Sequence, residues 1–127
     1  MSSPKHYATY RVAQVSALAK SLQVSTEGAM LSKVTGRVDS TAASATYYIQ
    51  LINSSSLPAD GAVTLLLAPI KIIHTTGTDS PFDVDLTPDY IKSKNGIFIV
   101  CSTTEFTKTL VGSDVLSCSA LYVKAAP

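Results

Sequence analysis

The chain has 127 residues, a formal net charge of +1 and 15% charged residues, against about 25% in an ordinary soluble domain. That length fits one domain with its own core and no need of a disulfide or metal staple. Lys and Arg are scattered, with no basic run beyond Lys92 and Lys94, which argues against a nucleic-acid binder working by phosphate neutralisation. No stretch approaches the roughly 18 apolar residues of a membrane span, and the N-terminus carries no apolar signal region, so a soluble chain with no membrane partner is expected.

Met1 to Arg11 reads as an N-terminal arm in which Ser2, Ser3 and Pro4 break regular structure: a frayed terminus is the simpler reading, and an arm docked on a neighbour through Tyr7 and Tyr10 the other. Residues 12–127 then form the single domain. From Val12 to Val24 two periodicities compete. Val12, Val15, Ala19 and Leu22 lie at helical spacing, whereas Leu18, Leu22 and Val24 alternate with polar residues. The all-β context favours a strand over Ala17 to Val24. After a turn at Ser25 to Gly28, Ala29 to Val38 alternates as a half-buried strand, with Met30, Val34 and Val38 on the apolar face.

The segment Thr46 to Asn53 is the clearest strand, dense in aromatic and β-branched residues. Tyr47, Ile49 and Leu51 share one face and Tyr48, Gln50 and Ile52 the other. Ser54 to Gly61 follows as the clearest turn, with Pro58 and the Asp60-Gly61 pair supplying its backbone geometry. The apolar run Val63 to Ile73 is cut by Pro69 into short strands at Thr64 to Leu67 and Ile70 to Ile73. Phe82 to Leu86 alternates strictly. Thr87 to Asn95 is expected as a loop with a helical turn at Pro88 to Lys92. Ile97 to Cys101 is continuously apolar and fits a central strand. Phe106 to Val111 and Val115 to Lys124 complete about eight short strands. The spacing predicts an all-β antiparallel β-sandwich or jelly roll.

No catalytic constellation is visible. There is no nucleophile elbow, phosphate loop or dinucleotide fingerprint, so neither an enzyme nor a cofactor is expected. His6 and His74 have no partner at metal-ligand spacing. Cys101 and Cys118 sit in apolar strands and read as buried free thiols. Asp79, Asp83, Asp85 and Asp89 gather in one stretch. Side-by-side carboxylates can bind calcium, but charged residues on a strand also discourage edge pairing, and the latter reading is preferred.

The ordered strings YYIQLINSSSLPADGAV, NGIFIVCSTTEFTKTL and SDVLSCSALYV resemble a group of small tailed-bacteriophage virion proteins. Tyr48, Gln50 and Leu51, then Pro58 and Gly61, then Asn95, Gly96 and Ser102 to Thr104 carry the resemblance, which spans about Leu18 to Val123 and departs from the pattern at Pro69 to Ser80. It implies a β-sandwich without enzymatic activity that decorates or cements the capsid or serves as a neck or tail accessory. The chain would be made in the host cytoplasm and reside in the virion. Its partners would be major capsid or tail subunits and further copies of itself, a homo-oligomer for which such families favour a trimer. Tyr7, Tyr10 and Arg11 would be the subunit contacts. The alternative is a receptor- or carbohydrate-binding module of a fibre.

Overall fold

The computed structural model describes residues 10–86 and 89–124. Its strands are β1 (Tyr10–Gln14), β2 (Ser21–Ser25), β3 (Ala29–Val38), β4 (Ala45–Asn53), β5 (Gly61–Ala62), β6 (Ile70–His74), β7 (Ser80–Asp85), β8 (Ile91–Ser93), β9 (Ile97–Ser102), β10 (Thr107–Lys108) and β11 (Leu116–Lys124). One sheet runs β1-β11-β3-β7, with β8 also paired to β3, and the other runs β2-β9-β4-β6. Every described pairing is antiparallel.

These neighbours follow one rule. The chain folds as a long hairpin whose arms pair from the ends inward: β1 with β11, β2 with β9, β3 with β7, and β4 with β6. Winding that hairpin brings β11 against β3 and β9 against β4. The result is the eight-strand, double-sheet wrap of a jelly roll, the second of the two all-β architectures that the strand spacing allowed.

The core lies between the sheets. β4 contributes Tyr47, Ile49 and Leu51, β9 contributes Ile97, Ile99 and Cys101, and β11 contributes Leu116, Cys118 and Ala120. Fully burying each large aliphatic side chain is worth about 1.5–3 kcal/mol. The expected in-and-out pattern of β4 holds on its inner face, and β9 is the buried central strand that its apolar run indicated.

β3 departs from simple alternation. Leu121 pairs with Lys33 and Tyr122 with Leu31, so Ser32 is an extra residue opposite β11. Such a bulge reverses which side chains face inward. Ala29 and Leu31 are fully buried together with Val34 and Val38, whereas Met30, expected on the apolar face, lies on the other side. Further along, Gly36 is where the sheet can accept no side chain. A Cβ there would lie 2.7 Å from the Phe82 ring and 2.7 Å from Cys118 Cβ, and against the Ser117 carbonyl.

Other boundaries also shift. Tyr10 and Arg11, assigned to the arm, are paired residues of β1. The strand expected over Ala17 to Val24 begins only at Ser21. Thr64 to Leu67 makes a single bridge, Leu65 to Ile52, and not a strand. Only Thr107 and Lys108 of the expected Phe106 to Val111 strand pair regularly. The expected loop Thr87 to Asn95 contains β8.

The outer face of the second sheet is covered by its own loops. β5 and β10 pair with each other, and Ile52, Phe98 and Val100 are buried with Val63, Leu65 and Leu110 packed on them. Gln50, fully buried, organises this layer. Its amide nitrogen donates to the carbonyls of Thr104 (3.1 Å), Glu105 (2.9 Å) and Thr107 (2.9 Å), turning the chain after β9 back over the sheet.

Two substitutions test this packing. Gly36→Val is expected to cost about 1–3 kcal/mol by overfilling a closed site. Gln50→Leu, which takes the amide from the Glu105 carbonyl while those of Thr104 and Thr107 keep hydroxyl donors, is expected to cost about 1–3 kcal/mol. Urea unfolding midpoints at unchanged slope check both.

Candidate interaction surfaces

Chemistry-bearing side chains are dispersed. Among the described residues no group of three or more His, Cys, Asp or Glu is gathered to hold a metal ion. Asp79 accepts from the Ser40 N–H at 2.8 Å and faces Arg37 at 3.5 Å. Asp83 and Asp85 stand on the outward side of β7, opposite Thr35 and Lys33, and Asp89 is exposed further on. The aspartates therefore do not converge as a calcium site would require.

Both thiols are buried and free. Burial pushes each up to about 12, so neither is a nucleophile at neutral pH. His74 is the last residue of β6 and is buried. Its Nδ1 lies 2.7 Å from Ser80 Oγ, and its ring meets Tyr47 edge-on at 5.9 Å. It latches the end of β6 to the start of β7. Tyr47 donates to the Ala43 carbonyl at 2.7 Å and borders a cavity of about 260 Å³ with Ala42, Ala43, Ala45, Val111 and Val115. Thr41, Thr103, Gly112 and Ser113 complete its lining, which contains no carboxylate, imidazole, amine or thiol.

What the fold does present is the outer face of the β1-β11-β3-β7 sheet. Cross-strand register arranges it in rows: Tyr10, Val123, Met30 and Lys92; then Val12, Leu121, Lys33 and Asp85; then Gln14, Ser119, Thr35 and Asp83. The β1–β11 half is apolar and the β3–β7 half charged, with a Thr35–Ser119 hydroxyl contact of 3.2 Å between them. Val12 is 64% exposed and Tyr10 47% exposed. The hydroxyls of Tyr10 and Tyr90 meet at 2.5 Å, which raises the Tyr90 pKa through that hydrogen bond first. Val123 at the same end is buried although alternation turns it outward.

Of the expected contact residues, Tyr10 stands exposed on this face, Arg11 is exposed on β1 but alternates to the opposite side, across from Tyr122, and Tyr7 lies outside the described residues. Val12, Leu121 and Tyr90 belong to the same face and were not singled out from the sequence. Val12 was weighed only as a core position, and nothing local to Tyr90 signals that it reaches a residue 80 positions away.

The covered face of the other sheet is closed by a buried cation. Lys108 is 2% exposed, and its Nζ donates to Asp60 Oδ1 at 2.5 Å. The Leu110 N–H donates to the same oxygen at 3.2 Å. The Lys108 hydrogen bond, then the Leu110 N–H, hold the Asp60 carboxyl below its ordinary range. Among the described residues no helix is long and apolar enough to cross a membrane.

The pair is unequal, because Asp60 is well hydrated and Lys108 is not. Removing the acid leaves a buried charge, whereas replacing the lysine with an apolar chain of similar length leaves only an exposed carboxylate. Asp60→Asn is therefore expected to lower the melting temperature at pH 7 more than Lys108→Met. With the folded pKa below the unfolded one, the carboxylate's contribution is present above the unfolded value and lost as pH falls through the folded value. Melting between pH 6 and 2 should show a shallower acid loss in Asp60→Asn than in the wild type.

No family model matches the sequence, and no curated protein matches it. Among solved structures, the coat protein of Tobacco streak virus, determined at 2.1 Å, is similar to the chain at 12% identity and a TM-score of 0.43, over 100% of this chain and 92% of that one.

Proposed function

We propose that the chain is a non-enzymatic structural component of a virus particle, of the tailed-bacteriophage kind, that binds other virion subunits as a capsid decoration or cement protein or as a neck or tail accessory. The observation that carries this reading is the jelly-roll wrap with one sheet sealed by its own loops and the other left open. Jelly rolls recur in capsid and lectin domains, and a chain with dispersed chemistry and one open amphipathic face works by being packed against. The resemblance of the β4 to β11 strings to small phage virion proteins points the same way.

In this reading the apolar half, Tyr10, Val12, Leu121 and Tyr90, buries against a shell or tail subunit. The charged half forms a polar rim, the usual anatomy of a subunit contact. Tyr7, Tyr10 and Arg11 are the subunit contacts at the start of the chain, and further copies of the chain are the other partners, in a closed oligomer such as a trimer. Nucleic acid and membrane are not partners. The exposed Tyr10–Tyr90 pair is the feature that favours the second reading, a carbohydrate- or receptor-binding module of a fibre, since tyrosine rings stack on sugars.

Quantitative mass spectrometry of purified particles tests the proposal. Near parity with the major shell protein is the result expected for decoration or cement, and a low ratio that for a neck, tail or fibre component. Absence from particles overturns the virion reading.

A further inference from the structure

The turn between β8 and β9 holds the Asn95–Gly96 pair, and there the chain crosses from one sheet to the other. On one side of the turn Ser93 pairs with Ala29 of β3. On the other Ile97 pairs with Asn53 of β4 and Ser25 of β2. Glycine is required in this turn. Gly96 is buried with φ +152°, and a Cβ on it would lie 2.4 Å from the Ser54 carbonyl oxygen and 2.7 Å from that of Ser25. Asn95, by contrast, is exposed.

An asparagine followed by glycine is chemically labile, because a glycine nitrogen with no neighbouring Cβ can attack the asparagine side-chain carbonyl. In this turn the groups that must move are held. The Gly96 N–H donates to Ser93 Oγ at 3.3 Å, and the Asn95 N–H to Asn53 Oδ1 at 3.1 Å. Ser93 Oγ donates to the same Asn53 oxygen at 2.7 Å and contacts the Gly96 carbonyl, which also accepts from the Ser54 N–H at 3.2 Å. The Gly96 residue is thus bonded through both its nitrogen and its carbonyl. Its nitrogen reaches Asn95 Cγ only when this knot opens, and such local opening has its own free energy, below that of global unfolding.

We propose that Asn95 is a site of spontaneous deamidation whose rate is set by opening of the Ser93–Asn53 knot, and that its isoaspartyl product keeps the turn from closing again. Water is the co-reactant. The Gly96 nitrogen bonds to Asn95 Cγ and gives up its proton, the side-chain amide leaves as ammonia, and a succinimide ring remains. Water then opens the ring at either carbonyl. Opening at the side-chain carbonyl gives aspartate on the original backbone. Opening at the main-chain carbonyl gives isoaspartate, whose main chain runs through the former side chain and is one methylene longer. Both products add a negative charge, but only the second changes the span from Ser93 to Ile97. Both of those residues are fully buried, so the added methylene displaces the Asn95 and Gly96 N–H groups from their acceptors. Because Gly96 admits no other residue, protection falls to Ser93 and Asn53. The inference stands on this turn and not on which particle contains the chain.

The test is peptide mapping by mass spectrometry with enzymatic isoaspartate detection, on the full chain held at mildly alkaline pH, folded and in urea above its unfolding midpoint. The folded wild type is expected to deamidate at Asn95 about tenfold or more slowly than the unfolded chain. Ser93→Ala, which removes two hydrogen bonds of ordinary strength from the knot, should speed the folded-state reaction about tenfold. Asn53→Ala should speed it from the facing strand, and it decides the matter if Ser93→Ala loses its native circular dichroism spectrum. Aged wild type enriched in isoaspartate should melt below fresh protein, whereas Asn95→Asp, with the charge but not the methylene, should melt with it. Equal rates in the folded and unfolded chains, folded-state rates indifferent to the knot substitutions, or an isoaspartyl chain as stable as the fresh one overturns the proposal.

Discussion

The ladder between β3 and β11 is the constraint on which the rest of the molecule depends. It joins residues 78 to 95 positions apart through nine register pairs, from Leu116–Val38 to Lys124–Ala29. It also sets β11 between β3 and β1, so that the strand nearest the start of the chain has something to pair with. Almost nothing here is local. Each pairing from the ends of the wound hairpin must be held while a long loop is closed, an entropic cost that rises with loop length and makes such topologies slow to form. The Ser32 bulge within the ladder decides what the core receives: Leu31 and Ala29 instead of Met30.

The two sheets divide the work. In the β2-β9-β4-β6 sheet, β9 and the stretch Ile49 to Ile52 of β4 are buried on both faces, and the layer outside them is tied down by polar groups with definite partners: the Gln50 amide on three carbonyls and Lys108 on Asp60. Buried polar groups of this kind stay buried only while they are satisfied, so the loops over this sheet have one arrangement. A comparable knot lies at the other end of β4. There Asn53 Oδ1 accepts from Ser93 Oγ at 2.7 Å and from the Asn95 N–H at 3.1 Å, fixing the turn into β9. The β1-β11-β3-β7 sheet has no such cover. Its outer surface is graded from apolar to charged across the strands.

Charge is sparse in this chain, and for that reason its placement carries weight. Arg37 is shared between Asp39 (3.2 Å) and Asp79 (3.5 Å), where the loop after β3 meets the turn before β7. The Thr41 hydroxyl and N–H, with Arg37, hold the Asp39 carboxyl below its usual range. Glu27 pairs with Lys124 across the ends of β3 and β11.

By itself the sequence determined the class of the fold and its inner faces. Strict alternation in β4, the continuous apolar run of β9 and the turn residues between them are written in local chemistry, because side-chain direction in a strand has period two. The same reading placed both thiols in the core. It misjudged Met30, since a one-residue bulge is set by the partner strand and leaves no mark in the bulged one. It took Tyr10 and Arg11 as an arm because a short edge strand becomes a strand only when β11 arrives beside it. It missed β8 for the same reason. That Val12, Leu121 and Tyr90 share a surface was decided only by the tertiary structure. Those neighbours are brought together by pairings between distant strands, and no local pattern encodes which distant strand will pair.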